Sequence, residues 1–396
     1  MSPAGVPINV AVVVTRFIAG AGGVALRGAL ALESDRFHTT VIAAEGGNLL
    51  EDAATGGLSV IPLRHMRPDI APRADLAVLR EVSGHLEAGR YDVVHTHSAK
   101  AGMVGRVAAR WNRVPLIVHT FHGFPFHAYQ SRARRSSYIA IERWLGRITD
   151  RFLAVGAAVA ADAVRLGIAP PERIRTIGSA VDPVEPRTAS SRAEARRLLG
   201  VPQDARVAGT VGRLDFQKAP LDTVKAFALL DRDVHFVWVG GGPMLGEVRR
   251  EVEGRGLQER FHLIGERRDV AQLLPGIDVI AMASLYEGLP CSVVEAMMCG
   301  VPVVATAVNA VPEVVVPGRT GLLVAPRRPR DLAAAIGHLL DNPDRAGALA
   351  AAARSNLGDR FDVDVLAHDL RETYLSALGS RDRSAAAATT QLAQTA

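Results

Sequence analysis

The sequence predicts an α/β chain made of two doubly wound parallel-sheet domains. Three observations carry that expectation. Short runs rich in Val, Ile and Ala are apolar on successive residues, the pattern of strands buried on both faces. Longer Ala/Leu/Arg stretches separate them and suit crossover helices. One Pro/Ser/Thr-rich break interrupts the series, and a second series begins after it.

In chain order, the first series comprises Asn9–Val14, Thr39–Ala43, Val93–Thr96, Leu116–Thr120 and Phe152–Val155. The break, Gly178–Ser191, contains Pro183, Pro186, Thr188, Ser190 and Ser191 without periodicity. The second series comprises Val207–Val211, His235–Val239, Val279–Met282, Val301–Ala305 and Gly321–Val324. A helix is expected over about 363–378, and the Ala/Thr/Gln-rich tail 379–396 is expected to be disordered. The expected domains are therefore 1–180 and 190–360.

Composition narrows the function classes. Of 396 residues, 48% are hydrophobic and 22% charged, which excludes a disordered chain. The net charge of +5 is mild for this length and reads first as a soluble enzyme with Arg-rich coding; it also suits an anionic ligand or membrane surface, and no nucleic-acid partner is expected. The basic residues are almost all Arg; the lysines are Lys100, Lys218 and Lys225. Cys291 and Cys299 lie eight apart on an expected helix, about 12 Å along its axis and too far for a disulfide. No run of 18 apolar residues occurs, and Ile8–Val14 is too short for a signal peptide. A cytoplasmic protein is expected, with contact at the inner face of the plasma membrane as an option.

Ligands of open parallel sheets sit at the carboxyl ends of strands, so the chemistry is sought there. After Val207–Val211 comes Gly212-Arg213-Leu214-Asp215-Phe216-Gln217-Lys218. It puts a guanidinium fork and an ammonium point charge on one loop, which suits a diphosphate; a solvated basic loop is the plain alternative. After Val279–Met282 comes Glu287-Gly288-Leu289-Pro290-Cys291-Ser292-Val293-Val294-Glu295. Pro290 suits a first helical turn, whose N–H groups can face a phosphate. Glu295 could accept from ribose hydroxyls, and Glu287 sits on the loop. Gly240-Gly241-Gly242-Pro243 follows His235–Val239 and permits close backbone approach.

The first series offers Gly22-Gly23 before a helix, His95-Thr96-His97-Ser98-Ala99-Lys100, and His119-Thr120-Phe121-His122-Gly123. The histidine spacings match no zinc pattern, and no metal is expected. His95 reads as a satisfied core histidine and His122 as a polar contact at a strand end. Gly20-Ala21-Gly22-Gly23-Val24-Ala25 matches a dinucleotide fingerprint. It starts well after the strand ends near Val14, which argues against a nicotinamide enzyme.

In this order the motifs resemble the retaining GT-B glycosyltransferases, family 4-like, over Thr15 to about Pro326. The most specific part is Gly212-Arg213…Lys218 paired with Glu287…Glu295, seven residues between the glutamates. His95–Arg110 with His119–Gln130 looks like a bacterial subgroup that builds capsular or exopolysaccharide units. The resemblance implies two Rossmann-like domains facing a central cleft, with the final helix returning to the first. It implies no cofactor, a nucleotide sugar (a UDP-linked hexose or N-acetylhexosamine) as co-substrate, and an unknown acceptor hydroxyl. It implies that Arg213 and Lys218 neutralise the donor diphosphate, that Glu295 binds the ribose, and that Glu287 and His122 contact the transferred sugar. Gly23, Gly212, Gly241, Gly288, Leu289, Ser292 and Val293 would line the donor, Gly265–Arg268 the nucleobase, and Lys100 the acceptor side. Two departures stand out: Ala219 replaces the family's Gly after the lysine, and Gly178-Ser179-Ala180-Val181-Asp182 replaces its Asn-Gly-(Ile/Val)-Asp linker. A UDP-sugar 2-epimerase of this fold and a non-catalytic nucleotide-sugar-binding protein are the alternatives.

Overall fold

The computed structural model describes residues 6–18, 20–67 and 71–395, with side chains up to 380. Contacts divide the chain into two compact units, Met1–Val181 with Asp362–Ala396, and Asp182–Phe361.

The first unit holds strands β1 (Ile8–Val14), β2 (Phe37–Ala44), β3 (Ser59–Leu63), β4 (Val93–His97), β5 (Leu116–Phe121), β6 (Arg151–Ala154) and β7 (Ile174–Thr176). Its helices are α1 (Ala21–Leu32), α2 (Leu49–Thr55), α3 (Pro72–Gly89), α4 (Ala99–Trp111), α5 (Arg132–Gly146) and α6 (Ala157–Arg165). The strands pair in parallel in the order β3-β2-β1-β4-β5-β6-β7. Successive residues of β1 are buried because both faces are covered. Ala11 and Val13 join a core with Val78, Val82, Val104 and Ala108 of α3 and α4. Val12 faces a small cavity walled by Val24 of α1 and by Leu366 and Leu370 further down the chain.

The second unit holds α7 (Ala189–Leu199), β8 (Arg206–Val211), α8 (Pro220–Phe227), β9 (Val234–Val239), α9 (Leu245–Gly254), β10 (Phe261–Gly265), α10 (Val270–Leu273), β11 (Val279–Met282), α11 (Cys291–Cys299), β12 (Val303–Thr306), β13 (Leu322–Val324), α12 (Pro329–Asp341) and α13 (Pro343–Leu357). Its parallel sheet runs β10-β9-β8-β11-β12-β13. Trp238, Phe227, Phe236 and Phe261 fill one side of it, closed by Leu332 and Ile336 of α12. The Pro/Ser/Thr-rich break ends in a helix start: Thr188 and Ser191 form a reciprocal capping box on α7.

The last helix, α14 (Val363–Thr395), packs on the first unit. Leu366, Leu370 and Tyr374 are buried there, and Leu370 fills the space that a side chain on Gly28 would need. Its backbone is helical through 395, across most of the tail expected to be disordered. The alanine-rich composition explains this, since Ala has the highest helix propensity; Ala396 lies outside the described residues. Among the described residues no helix is long and apolar enough to cross a membrane. Cys291 and Cys299 form no disulfide, and burial pushes the Cys299 thiol up to about 11.

Candidate functional site

In the second unit the sheet order reverses between β8, the first strand, and β11, the fourth. Such a reversal splays the following connections apart and opens a crevice at the carboxyl edge. The two strongest motifs leave the sheet at this point, one from β8 and one from β11.

The β8 loop is held by neighbours on both sides. Gly212 N–H donates to Val239 O at 3.0 Å, Leu214 N–H to Gly241 O at 2.7 Å, and the Trp238 indole N–H to Gly212 O at 2.8 Å. Gly240 must lack a side chain, because a Cβ would lie 2.1 Å from Gly212 O. Gly242, at φ 155, would likewise meet Leu214 O at 2.5 Å. The glycine run therefore serves to bring two loops together, whatever it offers a ligand. Gly240 N–H also donates to Gly265 O at 2.8 Å, so the β10 loop joins the same edge. There Gly265 takes φ 81, and Arg267 pairs with Asp269 at 2.5 Å.

A 3-10 turn, Phe216–Lys218, follows the β8 loop, with Asp215 capping it by accepting from Lys218 N–H at 3.2 Å. Ala219, where the related family has Gly, sits at φ 47 and ψ 54. This is the left-handed region that Gly enters freely and Ala enters at a cost of about 1–2 kcal/mol. The turn survives the substitution.

The turn aims Lys218 at the β11 loop. Its Nζ lies 2.6 Å from Glu287 Oε1, and Gln217 Nε2 lies 3.1 Å from Oε2 of the same carboxylate. Both partners of the Lys218–Glu287 pair are largely buried, and the Glu287 backbone N–H donates to Asn309 Oδ1 at 2.9 Å. Arg213 is the exposed cation: its guanidinium lies 2.5 Å from Asp215, with more than half of the side chain open to solvent. Gly288 and Leu289 are buried ahead of α11. Pro290 is the N-cap of α11 and not, as expected, a first-turn residue; its extended ψ of 106 keeps it outside the helix. Ser292 and Val293 lie in that first turn, which no side chain among the described residues caps. Glu295 follows, half-buried, on the same helix.

In the first unit the order reverses between β1 and β4. Gly23 is buried in the first turn of α1, where the nearest atoms that a Cβ would meet are those of the Arg27 guanidinium, at 3.3 Å. The fingerprint-like Gly20 caps α1, separated from β1 by residues 15–19. Lys100 is buried and its ammonium is held by Asp75 of α3. His95 bonds Tyr374 Oη at 2.6 Å and Thr120 Oγ1 at 2.7 Å, a satisfied core histidine held by burial down to about 3. His122 follows β5 and is half-buried; its Nε2 lies 2.8 Å from His97 Nδ1, and desolvation lowers it to about 4. His97 and His122 thus form a hydrogen-bonded pair, while His95 is satisfied by two hydroxyls. Among the described residues no group of three or more His, Cys, Asp or Glu could hold a metal ion.

Gln217, Asp215, Asn309 and His97 are the partners that sequence reasoning left without a role. The first two lie inside a motif, so their position signalled them. Asn309 lies 22 residues beyond Glu287, and its φ of 43 is the only local sign of a special place.

Comparison with known proteins fits this geometry. The model of the family described as glycosyl transferases group 1 matches residues 205–342, and that of the glycosyl transferase 4-like domain matches residues 19–180. The chain is 33% identical to a D-inositol 3-phosphate glycosyltransferase of Thermobispora bispora, over 74% of this chain and 72% of that protein. It is 28% identical to the UDP-Gal:alpha-D-GlcNAc-diphosphoundecaprenol alpha-1,3-galactosyltransferase of Escherichia coli, over 70% of this chain and 73% of that one. In fold it resembles Anabaena HepE, solved with UDP and glucose, at TM-score 0.81 and 22% identity, over 93% of this chain and all of the other.

Proposed function

The chain belongs to the group 1 glycosyl transferases and transfers a sugar from a nucleotide diphosphate sugar to an acceptor; from that premise we propose that it is a retaining, metal-independent transferase taking a hexose or N-acetylhexosamine from UDP. One observation supports this reading above the others. Lys218 and Glu287, from two loops, meet at 2.6 Å at the sheet's reversal point, with Arg213 on the same loop as Lys218.

The reaction breaks the bond between the sugar anomeric carbon and the β-phosphate oxygen. Negative charge then grows on the diphosphate. Arg213, Lys218 and the N-terminus of α11 are the positive groups that offset it. With two cations and a helix terminus in place, no metal is needed for charge balance. The acceptor oxygen attacks from the face the leaving group departs, and its proton passes to the leaving phosphate oxygen. In this reading Glu287 orients Lys218 and contacts a sugar hydroxyl, Glu295 accepts from the ribose, and His122 meets the transferred sugar. Glycines 23, 212, 241, 265 and 288 with Leu289, Ser292 and Val293 line the donor, and no cofactor takes part. Lys100 is left a structural part through Asp75.

The acceptor of the E. coli relative is a diphosphoundecaprenol-linked sugar. A glycolipid or polysaccharide acceptor is accordingly our reading here, with a cytoplasmic enzyme touching the membrane's inner face. Helix α5 supports the contact: Ile141 is 41% and Trp144 51% exposed beside Arg134, Arg143 and Arg147, and such basic, apolar faces bind anionic surfaces. The protein should co-sediment with phosphatidylglycerol vesicles and not with phosphatidylcholine ones. Equal recovery with both would remove the membrane reading.

The central test incubates the protein with UDP- and GDP-sugars and hydroxyl acceptors, with and without EDTA. We expect free UDP, a glycosylated acceptor with the donor's anomeric configuration, and unchanged rate in EDTA. Epimerised sugar without acceptor product would favour the epimerase, and tight UDP binding without turnover a binding protein. Inverted product, or activity restored only by Mg²⁺ or Mn²⁺, would overturn the finer claims.

A further inference from the structure

His122 has a partner at the carboxyl edge of the first sheet. His97 ends β4, whose neighbour β5 runs into His122. The His97 ring is almost fully buried, and its Nδ1 lies 2.8 Å from His122 Nε2 with the rings tilted by 31°. On its other side the His97 ring lies against His95, centroids 4.2 Å apart. His95 cannot slide, because Tyr374 Oη and Thr120 Oγ1 occupy both of its ring nitrogens. The next residue, Ser98, sits at φ 66 and ψ 160 and is bound to Thr15 Oγ1 at 2.8 Å, which fixes the end of β4. Among the described residues, no hydrogen bond is resolved to His122 Nδ1, and the residue is half-buried.

Two imidazoles joined through one hydrogen bond share a constraint. One nitrogen donates and the other accepts, so choosing the tautomer of one ring fixes that of the other. We infer that His97 is a positioning residue for the transfer reaction: its bond to Nε2 locks the rotamer and tautomer of His122 and so sets whether Nδ1 donates to or accepts from the bound sugar. This rests on the role of His122 proposed above. An ordinary buried histidine in the same place would contribute packing alone, and the two readings part company on measurement.

The test uses His97→Phe, which keeps a ring against His95 but has no nitrogen, and His97→Asn, whose amide lies near the position of Nδ1. We expect His97→Phe to lower kcat about 10–100-fold, the scale of losing an outer partner that orients a histidine, with UDP affinity unchanged. His97→Asn should recover most of the loss. In the wild type, ring ¹⁵N shifts should show one tautomer of His122. His97→Phe within twofold of wild type, while His122→Ala is impaired, overturns this inference alone. Full activity of His122→Ala overturns it together with the role of His122. His97→Asn as impaired as His97→Phe overturns it, because packing would then explain both. If His97→Phe does not fold, two exchanging tautomers in the wild-type spectrum overturn the inference and a single one supports it.

Discussion

Arg213 and Lys218 each have a carboxylate partner within the chain, Asp215 at 2.5 Å and Glu287 at 2.6 Å. A diphosphate approaching these cations must therefore compete with two acids, and cations and acids should respond oppositely to substitution. Lys218→Ala and Arg213→Ala should each lower turnover about 10²-fold or more, the scale of losing one preorganised donor, and weaken UDP. Glu287→Gln should lower turnover similarly yet hold or tighten UDP, since a like charge beside the diphosphate is removed. Titration calorimetry with UDP separates them; UDP binding lost in Glu287→Gln as in Lys218→Ala would sink the competition argument. The cations and Glu287 were legible because their residue types stand out in loops after apolar runs. Asn309 was not, because it meets Glu287 only through the β12 connection, which no local pattern encodes.

Legibility of the strands follows their place in the sheets. The inner strands read as continuous apolar runs because helices cover both faces, and each begins or ends within two residues of its expected span. The three strands without a sequence signal, β3, β7 and β10, are all edges. Their residues are largely half-buried or exposed, so selection for apolar side chains is relaxed, and β3 even carries Pro62, which an edge tolerates. The last helix shows the same logic in reverse. Its expected span read well where Leu366, Leu370 and Tyr374 give helical periodicity, and its extension did not, because alanine carries helix without a patterned face. Leu370 is 5% exposed and packs on Gly28 of α1. Leu370→Ala should therefore cost about 2–5 kcal/mol, read as a lower urea midpoint of the first unit's unfolding. A midpoint unchanged within error would mean that α14 adds nothing to that unit.

The two units differ in how they hold histidine, and acid should tell them apart. His95, His97 and His119 are buried in the first unit, and desolvation is the main cause that holds each below its ordinary range, His95 at about 3. In the second unit His235 and His262 are only half-buried and bond each other at 3.0 Å. A buried histidine stays neutral in the folded chain while the unfolded chain takes up a proton near 6.5. The unfolded state therefore binds more protons as pH falls from 6.5 toward 3, and stability is lost across that window and is intact above it. For His95 alone the loss at pH 5 is about 2 kcal/mol, and the other buried rings add in the same direction. Thermal melts at pH 7.5 and 5.0 test this, because Trp238 is fully buried in the second unit while Trp111 and Trp144 of the first are exposed. Loss of circular dichroism should move to lower temperature at pH 5 more than the shift of Trp238 fluorescence does. Saturating UDP should raise the Trp238 transition by mass action, about 2.7 kcal/mol at one hundred times Kd. Equal acid shifts of both signals would show that the buried histidines do not set where the molecule first comes apart.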